Sequence, residues 1–283
     1  MLKTGLSLTT AALILAACSP SLPPPPADVS FPCVWPSSPG FAPMADIDQK
    51  KIVEPSGVCY HPLRGTIFVV GDQGTLDELQ TDGTPVSSVP VSGDLEEITV
   101  DPSTGLLYIL VEAADIILEF YPVKGEVRRR FPVERSFGGD PAFLRITQPF
   151  DNGLESMAFV PSATHPEGGT FIIGNQEDPP CLVEVEVPLR SSGPSGGPAK
   201  IIRLLTAEIQ DPAAMYFDPK TGLLNVVCDA ANVLLEMTLQ GKVVRSYAFP
   251  GNDQEGVCRD PDGYIYIAQD SGGVLKLKDL RAR

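Results

Sequence analysis

Apolar residues come in runs of strand length, cut by Gly, Pro and Asp turns, and the runs return in sets. GTIFVVGD (65–72), GLLYILVE (105–112), GTFIIGN (169–175), GLLNVVCD (222–229) and GYIYIAQD (263–270) each read as one buried strand. Each follows a first strand that ends in proline: EPSGVCYHP (54–62), DLEEITVDP (94–102), GLESMAFVP (153–161), DPAAMYFDP (211–219) and DQEGVCRDP (253–261). A third strand comes next, LDEL, ILEF, LVEV, LLEM or VLKL. Units of 40 to 59 residues built from short strands match one propeller blade each, so the pattern predicts an all-β, five-bladed β-propeller, with six blades as the alternative. Helical periodicity is absent after the first 17 residues. A ring must close, because open edges invite pairing with other chains. The last repeat stops after its third strand, so FAPMADIDQKKIVEP (41–55) is predicted to supply the outer strand of the fifth blade.

Aligning the repeats places Ser56, Glu96, Glu155, Ala213 and Glu255 at one position, the start of each innermost strand. The second strand runs back antiparallel, so its last residue returns to the same end: Asp72, Glu112, Asn175, Asp229 and Asp270. Like charges crowded around one channel mouth repel unless a cation neutralises them or their pKa values rise. Glu96, Glu155 and Glu255 are the primary metal-ligand candidates, with Asp72, Glu112, Asn175, Asp229 and Asp270 as secondary ones. An all-oxygen set suits a hard cation, and its size favours calcium over magnesium. The competing reading is a set of solvated loop acids in an acidic protein.

Residues 1–17 carry one lysine, a short apolar run and small residues before Cys18, the pattern of an export signal with a lipobox, Leu15-Ala16-Ala17-Cys18. Lipidation at Cys18 would tie the chain to a membrane, and Ser19 favours the outer membrane, facing the periplasm or the cell surface. The proline-dense stretch from Cys18 to residue 43 reads as a semi-rigid spacer, leaving 44–283 for the propeller. A net charge of −15 argues against nucleic acid as a partner. The basic run Arg128-Arg129-Arg130 reads as solvated strand surface. Cys59, Cys228 and Cys258 lie in apolar patterns and read as buried hydrophobes, and Cys33 with Cys181 is the disulfide to test first.

His61 and His165 are the two histidines, both placed at the far end of a first strand from the acidic mouth and read as surface turn residues. Gly193-Pro194-Ser195-Gly196-Gly197 fits G-x-S-x-G but lies in a flexible loop without the strand and helix that a nucleophile elbow needs. Asp260-Pro261-Asp262-Gly263 reads as a hairpin turn rather than a calcium loop.

Through SGVCYHP, DLEEITVDP, GLESMAFVP and QEGVCRDP, the chain resembles the SdiA-regulated family of bacterial β-propellers, relatives of the NHL-repeat propellers, over about residues 50 to 278. The resemblance implies five blades and calcium near the channel, carried here by Glu96, Glu155 and Glu255. Ser56, Ala213 and Asp211-Pro212 depart from the glutamate pattern. The expected function is a non-catalytic, calcium-binding lipoprotein that engages an unknown protein or small-molecule ligand. The alternative is a calcium-dependent lactonase or esterase with Glu112, Asp229 or Asp270 as base.

Overall fold

The computed structural model describes residues 40–145 and 153–281. In chain order the strands are β1 (Phe41–Asp46), β2 (Pro55–His61), β3 (Thr66–Gly71), β4 (Thr75–Gln80), β5 (Pro85–Pro90), β6 (Leu95–Val100), β7 (Leu107–Val111), β8 (Ile116–Tyr121), β9 (Glu126–Glu134) and β10 (Leu154–Pro161). They continue with β11 (Gly169–Asn175), β12 (Cys181–Glu186), β13 (Ala199–Thr206), β14 (Pro212–Asp218), β15 (Leu223–Cys228), β16 (Val233–Met237), β17 (Val243–Ala248), β18 (Gln254–Arg259), β19 (Tyr264–Gln269) and β20 (Val274–Asp279). One 3-10 turn, Asp229–Ala231, is the one helical element among the described residues.

Antiparallel neighbours build the units β2 to β5 and β14 to β17. An eight-stranded sheet joins β6 to β9 with β10 to β13 through a short parallel pairing, Ala199 against Val133 and Lys200 against Glu134. In the remaining sheet β1 pairs antiparallel with β20, from Phe41 against Asp279 to Asp46 against Leu275, outside β19 and β18. β1 begins three residues before the spacer boundary read from composition, so the folded part extends into that stretch.

The core explains why such units need one another. It divides into five apolar clusters among the described residues, each shared by two neighbouring units. Val70 and Leu76 of the first unit meet Leu95 and Ile109 of the second, and so on round to Tyr266 and Val274, which close against Ile67 and Leu79. A single four-stranded unit cannot bury both faces alone, so stacking in a ring is what removes this surface from water. The first strands follow the same cycle: β2 packs on β6, β6 on β10, β10 on β14, β14 on β18 and β18 on β2. The chain is a β-propeller whose axis is lined by these strands.

Two close approaches show how tight the axis is. A Cβ on Gly57 would lie 2.7 Å from Glu97 Cα, and one on Gly256 would lie 2.5 Å from the Ser56 carbonyl oxygen, so neither position accepts a side chain without backbone movement.

Several expectations change at this level. His61 is buried rather than a surface turn residue: its Nε2 lies 3.0 Å from the Gly105 carbonyl, and burial lowers its pKa. The driving force is the neighbouring turn, which covers the ring. Arg129 is not solvated surface, because its Nε donates to Glu119 Oε1 at 3.0 Å and its guanidinium lies over the Phe131 ring. The 190–200 loop is pinned to β9 by a bridge between Gly196 and Arg130. Cys181 is a free, fully buried thiol, and Cys33 lies outside the described residues, as does Cys18. Gly263 N–H donates to the Asp260 carbonyl at 3.2 Å, the hairpin turn read from the sequence.

Candidate metal centre

The first strands share one irregularity. Pairing skips one residue in β6, β10, β14 and β18, leaving Glu96, Glu155, Ala213 and Glu255 unmatched between paired neighbours, and β2 shifts over Ser56 and Gly57. A bulge bends the strand and re-aims the extra side chain. The repeated bulge therefore turns the same position out of each ladder. Just before it, Glu54, Asp211 and Asp253 hold φ of 46°, 52° and 50°, a left-handed backbone that is uncommon for residues other than glycine. Such outliers concentrate at functional sites.

The acids so placed sense one another. Burial, then the charges of Glu155, Asp72, Glu112 and Asp94, push the Glu96 carboxyl up to about 11. Burial raises Glu155 well above the carboxylate range, reinforced by the neighbouring carboxylates of Glu112 and Glu255. Glu255 rises to about 8 through burial and the charges of Asp270, Asp72 and Asp229, while Asp229 itself rises to about 6, mainly by burial. Asp72 and Asp270 are raised too, first by burial. The three predicted glutamates and four of the five secondary candidates thus gather at one mouth.

Asn175 stands apart. Its side-chain nitrogen donates to the backbone oxygens of Glu177 and of Pro179, the latter at 2.9 Å, so the amide braces the following loop. Glu112 accepts the Gly153 N–H at 2.9 Å, and Asp229 accepts the Gln254 N–H at 2.8 Å, which fixes both carboxylates to the neighbouring repeat. Ser56 donates to Asp72.

Asp94 was missed. Asp72, Asp94 and Glu96 each offer an oxygen, and these oxygens lie within 4.8 Å of one another. Oxygens bound at about 2.3 to 2.6 Å to one calcium ion can be at most about 5 Å apart, so this trio has the spacing of ligands to a shared cation. The signal was present: an acid stands two residues before the bulge position in four repeats, as Glu54, Asp94, Asp211 and Asp253. Glu54 takes a hydrogen bond from Gln73, Asp211 from Gln176 and Ala230, and Asp253 from Asn252.

Glu97 was also missed. It is fully buried one step below the mouth, accepts the N–H groups of Ile98, Met215 and Val58 from three first strands, and is held well above the carboxylate range by burial. It bridges the channel and separates the acidic mouth from the far end.

A family model described as SdiA-regulated matches residues 43–272. The chain belongs to the SdiA-regulated family. Solved structures similar to this SdiA-regulated protein include the hydrazine synthase of Kuenenia stuttgartiensis, at 13% identity and a TM-score of 0.43, covering 78% of this chain. This chain spans 56% of that one. A luciferin-regenerating enzyme is similar at 12% identity and a TM-score of 0.49, with 85% of this chain and 95% of that one covered. No curated protein matches this SdiA-regulated chain.

Proposed function

We propose that this SdiA-regulated protein is a five-bladed, calcium-binding propeller, closed by β1 as the outer strand of the last blade, that serves as a non-catalytic interaction module of the cell envelope. Lipidation of Cys18 would anchor it to the outer membrane. The observation that carries the reading is the Asp72, Asp94 and Glu96 trio, whose oxygens share the spacing a single cation needs, set among further acids whose pKa values are raised by crowding and burial. The donors are all carboxylate oxygens, which fits calcium. Glu155, Glu255, Asp229 and Asp270 add negative charge around that trio, and the cation would relieve their repulsion. Both histidines support a non-catalytic role: His61 is buried against Gly105, and His165 lies by Glu186 at 3.3 Å.

Calcium titration followed by thermal melting tests the site. Saturating calcium at about 100 times Kd is expected to stabilise the fold by about 2.7 kcal/mol. Asp94→Asn should remove most of that gain while leaving the calcium-free melt unchanged or higher. No calcium-dependent shift in the unaltered chain would sink the reading.

The hydrolase reading draws on Glu155, whose carboxyl burial and the neighbouring Glu112 hold well above the carboxylate range, since such a group can give and take protons. Turnover of lactones or aryl esters, abolished by EDTA and by Glu155→Gln, would replace the first reading with this one.

A further inference from the structure

The other mouth of the channel differs in every respect. There the first strands end, and their last residues with the prolines behind them enclose a pocket of about 240 Å³. Tyr60, Val100, Phe159, Tyr216 and Phe217 form its walls, and the buried thiols of Cys59 and Cys258 lie at its base. Each of the five repeats contributes a strand end to the walls.

The charged groups at the rim are engaged within the protein. Arg259 donates to Asp279 at 2.9 Å. Asp260 accepts from the Tyr266 hydroxyl at 2.9 Å and the Tyr264 N–H at 2.8 Å. Lys220 reaches the Pro261 carbonyl at 3.4 Å, and the Tyr216 hydroxyl takes a hydrogen bond from Arg281 at 3.0 Å. Arg259 is paired with Asp279, while Asp218, Asp260 and Lys220 bring charges of both signs to the rim, and the apolar walls offer a charged ligand nothing to replace its own hydration. An apolar one gains from leaving water, and concave apolar pockets at barrel and channel mouths are common sites for small molecules.

We propose that this mouth binds a neutral, flat apolar or aromatic small molecule. Size sets the class: a cavity of roughly 150 Å³ takes benzene, so about 240 Å³ suits a bicyclic ring system of about ten non-hydrogen atoms. Glu97 and the small residues level with it, Gly57, Ser156, Ala214 and Gly256, stand between this pocket and the acids. The two mouths are therefore separate sites on one axis, and the pocket does not depend on the cation reading.

The test is calorimetric titration of the full chain with 1-naphthol, in calcium and again in EDTA. Saturable one-to-one binding with a negative heat-capacity change, the signature of apolar burial, is expected in both buffers. The anion 1-naphthalenesulfonate should bind at least about tenfold more weakly. Val100→Lys puts a charge on the wall and Val100→Phe fills the space without one. Each should weaken 1-naphthol by about tenfold or more, and a cooperative thermal melt in EDTA reports whether each variant is folded. Absence of binding, binding kept by both variants, or preference for the anion overturns the proposal. Binding lost in EDTA moves the ligand to the acidic mouth and overturns it as well. A change in fluorescence of Trp35, the single tryptophan, caused by either variant without ligand would assign the pocket to the chain's own N-terminal segment and would likewise overturn the proposal.

Discussion

Glu97 shows how much one side chain can decide. Its carboxyl is the partner of backbone N–H groups on two other first strands, and it sits where the equivalent residues are Gly57, Ser156, Ala214 and Gly256. A buried N–H without an acceptor costs about 1 to 3 kcal/mol. Glu97→Ala strands at least two, so its urea unfolding is expected to show a loss of about 2 to 6 kcal/mol. Glu97→Gln keeps the shape and one acceptor oxygen, enough for the Ile98 or the Met215 N–H but not both, so it should cost about 1 to 3 kcal/mol, less than the Ala variant. A Gln variant as unstable as the Ala variant would show that a single remaining acceptor does not hold these strands together. In the sequence, Glu97 is one of two adjacent glutamates in DLEEITVDP. That one of them bridges the axis is not written in this stretch, because it depends on three strands far apart in sequence.

At the scale of elements, β1 pairs with β20 at the edge of the last sheet. Phe41 is buried against Tyr247 and Phe249, at ring centroid distances of 6.2 and 5.2 Å, so the first strand of the described fold joins the last two units. Arg281, also buried, completes the seam with bonds to Asp279, Asn225, Glu236 and Tyr216. Phe41→Ala is expected to cost about 3 to 5 kcal/mol by the usual penalty for emptying an aromatic site, measured by urea unfolding. A loss below about 1 kcal/mol would mean that β1 is dispensable. The sequence pointed to this strand by elimination, as the segment left over beside an unfinished repeat. Its register against β20, and the role of Arg281, could be seen only with both ends of the chain side by side.

For the whole molecule, the acidic mouth ties stability to pH. Raised pKa values mean that the native state keeps protons which the unfolded chain, with carboxyls near about 4.3, has already released. Stability without calcium is therefore fullest below that value and falls as pH rises through the window toward about 6 for Asp229, about 8 for Glu255 and about 11 for Glu96. The calcium-free protein should melt at a higher temperature at about pH 5 than at about pH 8. Calcium displaces those protons, so its stabilising effect should grow over the same range. Equal melts at these two pH values in EDTA would show that the mouth is solvated well enough to ionise at no cost.

What the sequence determined by itself was whatever repeats locally: strand length, turn chemistry, the five-fold return of one motif, and the register that sends Glu96, Glu155 and Glu255 to the same end. Those follow from the period of two and from glycine and proline, which act within a few residues. Tertiary structure decided what depends on neighbours across the ring. Asp94 joins Asp72 of the preceding repeat in one oxygen cluster, whereas Asp211 takes a hydrogen bond from Gln176 of its own preceding repeat and Asp253 one from the adjacent Asn252. His61 is covered by the turn of the next unit. One end of the channel becomes a charged mouth and the other an apolar pocket, because packing the first strands side by side gathers their ends at each rim.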